Sequence, residues 1–160
     1  MLRSTSMASL EQLLKDLERA LEIGDLDQVA SVRRTIADAA PDVKEGAEAW
    51  YKLGLDALFR KGDRNVAAEC FRSAAKAKIQ PWSSSARVSL GLVLASHEKH
   101  QQAAFELRKA IGALGPSLLQ AQAFGLLVVV LRQGKQGAEA ERARKEHMAL
   151  LARIASLGSA

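Results

Sequence analysis

The sequence predicts an all-α chain, a right-handed superhelical array of antiparallel helix pairs with about eight helices. Two observations carry this. Leu53-Gly54, Leu90-Gly91 and Phe124-Gly125 recur inside helical patterns, with glycines 37 and then 34 residues apart, and each is followed by a Gly-rich or polar break. Periods of that size belong to stacked helical hairpins. The chain also has only three prolines and few clustered β-branched residues outside 128–130, which disfavours sheet.

The elements follow in order. Residues 1–8 read as a flexible N-terminus. Leu10, Leu13, Leu14, Leu17 and Leu21 fall at helical spacing over 9–23, with Ser9 and Gln12 placed as a capping box. Gly24 stops that helix and Asp25 caps the next, which carries Val29, Ala30, Ile36 and Ala37 before Pro41. The same grammar gives helices over 42–60, 64–78, 83–98, 102–113, 117–132 and about 136–156, with Ser83-Ser84-Ser85 capping the fifth. Short turns between them fit antiparallel neighbours. A single domain over 9–156 is expected.

From residue 47 to 150 the chain resembles the tetratricopeptide repeat family. One copy shows Trp50, Leu53, Gly54 and Ala57, then Ala67, Phe71, Ala74 and Pro81. The next shows Leu90, Gly91 and Leu94, then Ala103, Leu107, Ala110 and Pro116; the last shows Ala121, Phe124, Gly125 and Val128, then Ala138 and Arg142. Repeats are thus expected at about 47–81, 84–116 and 118–150, after a degenerate opening hairpin over 9–41. The mid-helix glycines cost about 1 kcal/mol each against alanine, which a close neighbour at the missing side chain would justify. A neighbouring helix backbone is the expected occupant. The charged final helix suits a solvating cap.

Composition bounds the rest. With 48% hydrophobic and 26% charged residues over 160 positions, the chain can bury a continuous core and is globular. The longest apolar run, Leu126–Leu131, is far short of the ~20 residues of a membrane span. A lone Cys70 suits a reducing compartment, and the first residues lack the apolar core of a secretory signal, so a cytoplasmic location is expected.

Catalytic signals are scarce. His97-Glu98-Lys99-His100 is one residue short of a zinc-protease motif and reads as helix-terminal histidines favoured by the dipole. His147 reads as solvated, and Cys70, beside Phe71, as a small buried hydrophobe. No phosphate loop, cofactor motif or metal set is present in the sequence, and no enzyme activity is expected. Arg60, Lys61, Arg64, Arg72, Lys76 and Lys78 form a basic stretch, but they fall mainly on a second helix with few aromatics, so nucleic acid is disfavoured.

The resemblance implies that first helices of successive pairs line a concave groove. Carried on the Leu-Gly phase, the lining is Glu48, Tyr51, Leu55 and Leu58; Ser85, Val88, Leu92 and Ala95; and Leu119, Gln122, Leu126 and Val129. It is mostly apolar and suits a protein or peptide with apolar anchors. The expectation is a non-catalytic scaffold or adaptor. Alternatives are a chaperone-like holder of hydrophobic segments, similar in size to the small repeat chaperones of type III secretion, or a self-assembling scaffold whose groove is filled by a homo-oligomer.

Overall fold

The structure, a computed structural model, describes residues 2–158, with side chains from Ser9 onward. Eight α-helices run α1 (Leu2–Ile23), α2 (Leu26–Ala39), α3 (Lys44–Leu55), α4 (Arg64–Lys76), α5 (Trp82–Ser96), α6 (His100–Ala113), α7 (Leu118–Gln133) and α8 (Gly137–Gly158). No strand occurs among the described residues. The helices form two compact units, Met1–Ser83 and Ser84–Ala160.

In the first unit α1 packs on α2, α2 on α3 and α3 on α4. Its core gathers Val32, Ile36, Ala37 and Ala49, with Leu10, Leu13, Leu14, Leu17, Trp50 and Leu53 packed against them. Gly24 and Gly62 take positive φ at the two tight turns, where only glycine is free of strain. Asp25 then caps α2, its carboxylate accepting from the Asp27 and Gln28 amides at 3.1 Å. Asp63 caps α4 through the Val66 amide at 3.0 Å.

α1 begins at Leu2, so Ser9 lies inside it and the expected capping box does not form. The Gln12 amide donates instead to Asp16. No glycine or proline precedes Ser9, so nothing stops the helix from running back to Leu2. Met1 lies outside the described residues.

α3 continues into a π-helical turn over Asp56–Arg60. This turn explains the stretched first spacing in part. Phe71 faces Gly54 from 17 positions on, whereas Leu107 faces Gly91 from 16. A π turn takes up one extra residue without breaking the helix.

In the second unit α6 packs on α7 and α7 on α8. α5 is tied to α6 by the Arg87–Glu106 ion pair at 2.6 Å and by Leu107 seated on Gly91. Leu90, Val93, Leu107, Val130 and Leu131 are buried. Ser117 caps α7 through the Gln120 amide, and the Gln120 side chain donates to the Ile111 and Leu114 carbonyls, closing the α6–α7 turn.

Three expectations change here. α5 starts at Trp82, so Ser83–Ser85 occupy its first turn rather than the cap, and Ser83 and Ser84 are buried. In α8, Ala138 and Arg142 are exposed; the buried stripe is Ala140, Ala143 and Leu150. The turn after Gln133 sets a different register from the earlier pairs, and Leu150 joins Ala121 and Phe124 in the core. His147, expected in solvent, is half-buried against Gly125 for the same reason, its ring 3.4 Å from where a Cβ would stand.

Gly54 and Gly91 therefore do mark close approach, but to side chains, whereas at Gly125 the neighbouring ring stands at ordinary contact distance. Phe71, Leu107 and His147 occupy the space, not a neighbouring backbone.

Candidate partner-binding surfaces

In the first unit the α3 face contributes Glu48, Tyr51, Leu55 and, in the π turn, Leu58, all half-buried. Glu48 lines a cavity of about 280 Å³ whose apolar walls are Leu14, Leu17 and Leu21 from α1 and Ile36 from α2. Leu55 lines an adjoining shallow depression with Leu26 and Phe59. Tyr51 is committed to packing, its ring centroid 6.0 Å from Phe71 and 5.8 Å from Trp82. The sequence placed α3 on this surface but missed the α1 leucines, since a leucine stripe on a first helix reads as core.

Charge is concentrated at the edge of this surface. Arg33 borders both hollows, and burial lowers its pKa despite the offsetting fields of Asp56 and Glu48. An arginine stays charged through such a shift. Lys52 pairs with Glu48 at 2.8 Å. Arg60 hydrogen-bonds Asp56 and Asp27, which holds its guanidinium more firmly protonated than usual. Arg60 is thus withdrawn from the basic stretch that continues to Lys78.

In the second unit Leu92 and Val129 are each 46% exposed. Ser85, Val88, Ala95, Leu119 and Leu126 are half-buried, and Gln122 is exposed. All eight therefore keep accessible surface. A cavity of about 570 Å³ lies elsewhere in this unit, floored by Ile111, Phe124, Leu127 and Leu131, with Arg108, Glu139, Arg142 and Glu146 at its mouth. Arg108 and Glu139 pair across it. Sequence reasoning missed this cavity because it gave each first helix one inner face. The available signal was α7 itself, apolar almost all round from Leu118 to Leu131.

The histidine pair is split by a turn. His97 follows the end of α5, and His100 opens α6, so the two do not sit together at one helix end. No group of three or more metal-binding side chains occurs among the described residues. None of the described helices is long and apolar enough to cross a membrane.

Cys70 is buried in α4, and desolvation, the largest influence, raises its thiol pKa. Reaction with a thiol reagent at mildly alkaline pH is expected to be at least about tenfold slower in the native protein than in denaturant. Equal rates would show that Cys70 is not shielded as described.

These features define a class: a tetratricopeptide-like helical-hairpin protein, all-α, with side chains locked at mid-helix glycines. Neither a protein-family model nor a curated protein matches the chain. Among solved structures, the fold is similar to two crystal structures of MamA. One matches at TM-score 0.71 and 21% identity over 92% of this chain and 81% of that one. The other matches at 0.70 and 21% over 92% and 75%. BtubC from P. vanneervenii matches at 0.67 and 15% identity, over 86% of this chain and 61% of its own.

Proposed function

We propose that the chain is a non-catalytic scaffold that holds a partner protein by burying the partner's apolar side chains against its first-of-pair helices. The observation that carries this is the accessibility of an apolar lining that core packing leaves free, above all Leu92 and Val129. Leu92 on α5 and Val129 on α7 are the most exposed aliphatic side chains of that lining, and such residues mark an interaction site when they form a contiguous patch. The fold supports the same reading, because helical hairpin repeats present extended surfaces rather than enclosed reaction centres.

Leu92→Asp tests it. The side chain is half in solvent, so helicity and melting should change little, within about 0.5 kcal/mol. Binding should weaken at least about tenfold, the loss of one buried aliphatic anchor. The readout is recovery of crosslinked partner from native lysate, with a photoreactive group at Val129 and circular dichroism as the folding control. Recovery of the same partner in equal yield by the variant would overturn the assignment.

A further inference from the structure

The outer face of α4 carries cations that the fold leaves without partners. Before it, Arg34, Lys52 and Arg60 each pair with a carboxylate four residues away, Asp38, Glu48 and Asp56. Beyond Arg60 this stops. Lys61, Arg64, Arg72, Lys76 and Lys78 are all exposed, and none forms an ion pair among the described residues. The same stretch holds two carboxylates, Asp63 and Glu69. Asp63 is engaged as the cap of α4, accepting from the Val66 amide, and Glu69 is exposed.

Helix stability does not account for this set. Arg64 opens α4, at the end where the helix dipole disfavours a cation. Arg72 and Lys76 are like charges one turn apart, which destabilises an exposed helix. Only Lys76 and Lys78 stand at or just beyond the end where the dipole favours them.

Two observations narrow the partner. Phe71, the one aromatic residue of α4, is fully buried, so nucleic-acid bases would have nothing to stack on. Glu69 lies between two groups of cations, Lys61 with Arg64 and Arg72 with Lys76 and Lys78, and shares a helix face with Arg72 and Lys76. A phosphate backbone is charged at every unit and would meet Glu69. A polypeptide can place an uncharged residue there. Arg64 and Arg72 are eight helical residues apart, a rise of about 12 Å, which an extended chain covers in about four residues.

We infer that the outer face of α4 binds an acidic segment of a partner protein, with two blocks of Asp or Glu about four residues apart. One block meets Lys61 and Arg64, the other Arg72, Lys76 and Lys78. The site goes beyond the scaffold reading: it lies on a second-of-pair helix and does not use Leu92.

The probe is a fluorescein-labelled peptide with two blocks of three glutamates separated by four Gly and Ser residues, read by anisotropy. At low ionic strength it should bind saturably, and added salt should weaken binding. Arg72→Gln with Lys76→Gln should weaken it at least about fivefold, the loss of two exposed ion pairs. Lys15→Gln with Arg19→Gln removes the same charge from two exposed cations at the same spacing on α1 and should change it less than about twofold. All four side chains are exposed, so both variants should fold, with circular dichroism as the control. Equal weakening by the two variants would overturn the inference, because binding would then follow net charge and not α4. Absence of saturable binding at low salt would overturn it too, as would equal affinity for a peptide whose six glutamates are contiguous. An oligothymidylate with six phosphates that binds more tightly than the spaced peptide, and is weakened as much by the α4 variant, would overturn it in favour of nucleic acid. Leu92→Asp should bind the probe like wild type, which separates this outcome from that of the scaffold test.

Discussion

Gly46→Ala is expected to destabilise the first unit by about 3 kcal/mol, at the upper end for adding a single methyl group to a packed site. An alanine Cβ at this position would stand 1.7 Å from the Ala40 carbonyl oxygen and 2.5 Å from its carbon. Those are backbone atoms, fixed by the end of α2, where the Ala40 amide donates to the Ile36 carbonyl, and by Pro41. A side chain could rotate away; this turn has to move. Alanine's better helix propensity returns only about 1 kcal/mol. Denaturant unfolding followed by tryptophan emission isolates the effect, because both tryptophans, Trp50 and Trp82, belong to the first unit. Gly112→Ala is the control: its Cβ meets nothing within 4 Å, so it should be neutral or stabilising by up to about 1 kcal/mol. Equal stability of Gly46→Ala and wild type would mean that the α2–α3 turn does not lie over α3 as described.

Gly46 also shows where the sequence stops being legible. Gly54, Gly91 and Gly125 were visible because they share a helical phase, and phase is a property of sequence. Gly46 has no counterpart in the later pairs; its constraint comes from a carbonyl six residues earlier, folded back by a turn. Helix positions were legible almost throughout, since caps such as Asp25 and Asp63 and stops such as Gly24 and Gly62 act locally. Registers between helices were less so. The α8 stripe fell on Ala140 and Ala143 rather than on Ala138 because turn geometry, not pattern, sets where a second helix meets the first.

The candidate surfaces divide in the same way. Leu92 and Val129 were singled out by the Leu-Gly phase that the resemblance supplies, and both are exposed. Leu14, Leu17 and Leu21 were read only as a stripe at helical spacing; Leu14 and Leu17 pack against the core, Leu21 is exposed, and all three wall a hollow. A leucine at the edge of a core and a leucine at the edge of a groove have the same sequence signature. Only the position of the next helix separates them.

Phe71→Ala should cost about 3–5 kcal/mol, the range for emptying an aromatic site in a rigid core. Phe71 has no exposed surface, and its ring lies over Gly54 and beside Tyr51, so α3 and α4 both lose their central contact. The sharper result concerns the pair. A Cβ at Gly54 would lie 2.4 Å from Phe71 Cε1, so Gly54→Ala in the wild-type background should destabilise, by roughly 1–2 kcal/mol once the gain in helix propensity is deducted. In the Phe71→Ala background the obstacle is gone. There the same Gly54→Ala change should stabilise by about 1 kcal/mol, through propensity and partial filling of the cavity. The sign reversal is the signature of direct contact, and a double-mutant cycle on denaturant midpoints measures it. Additivity within about 0.5 kcal/mol would show that the glycine is not there to admit the ring. A measured reversal would give the mid-helix glycine a physical cause: this site keeps a residue unfavourable for a helix because the partner helix places its largest side chain there.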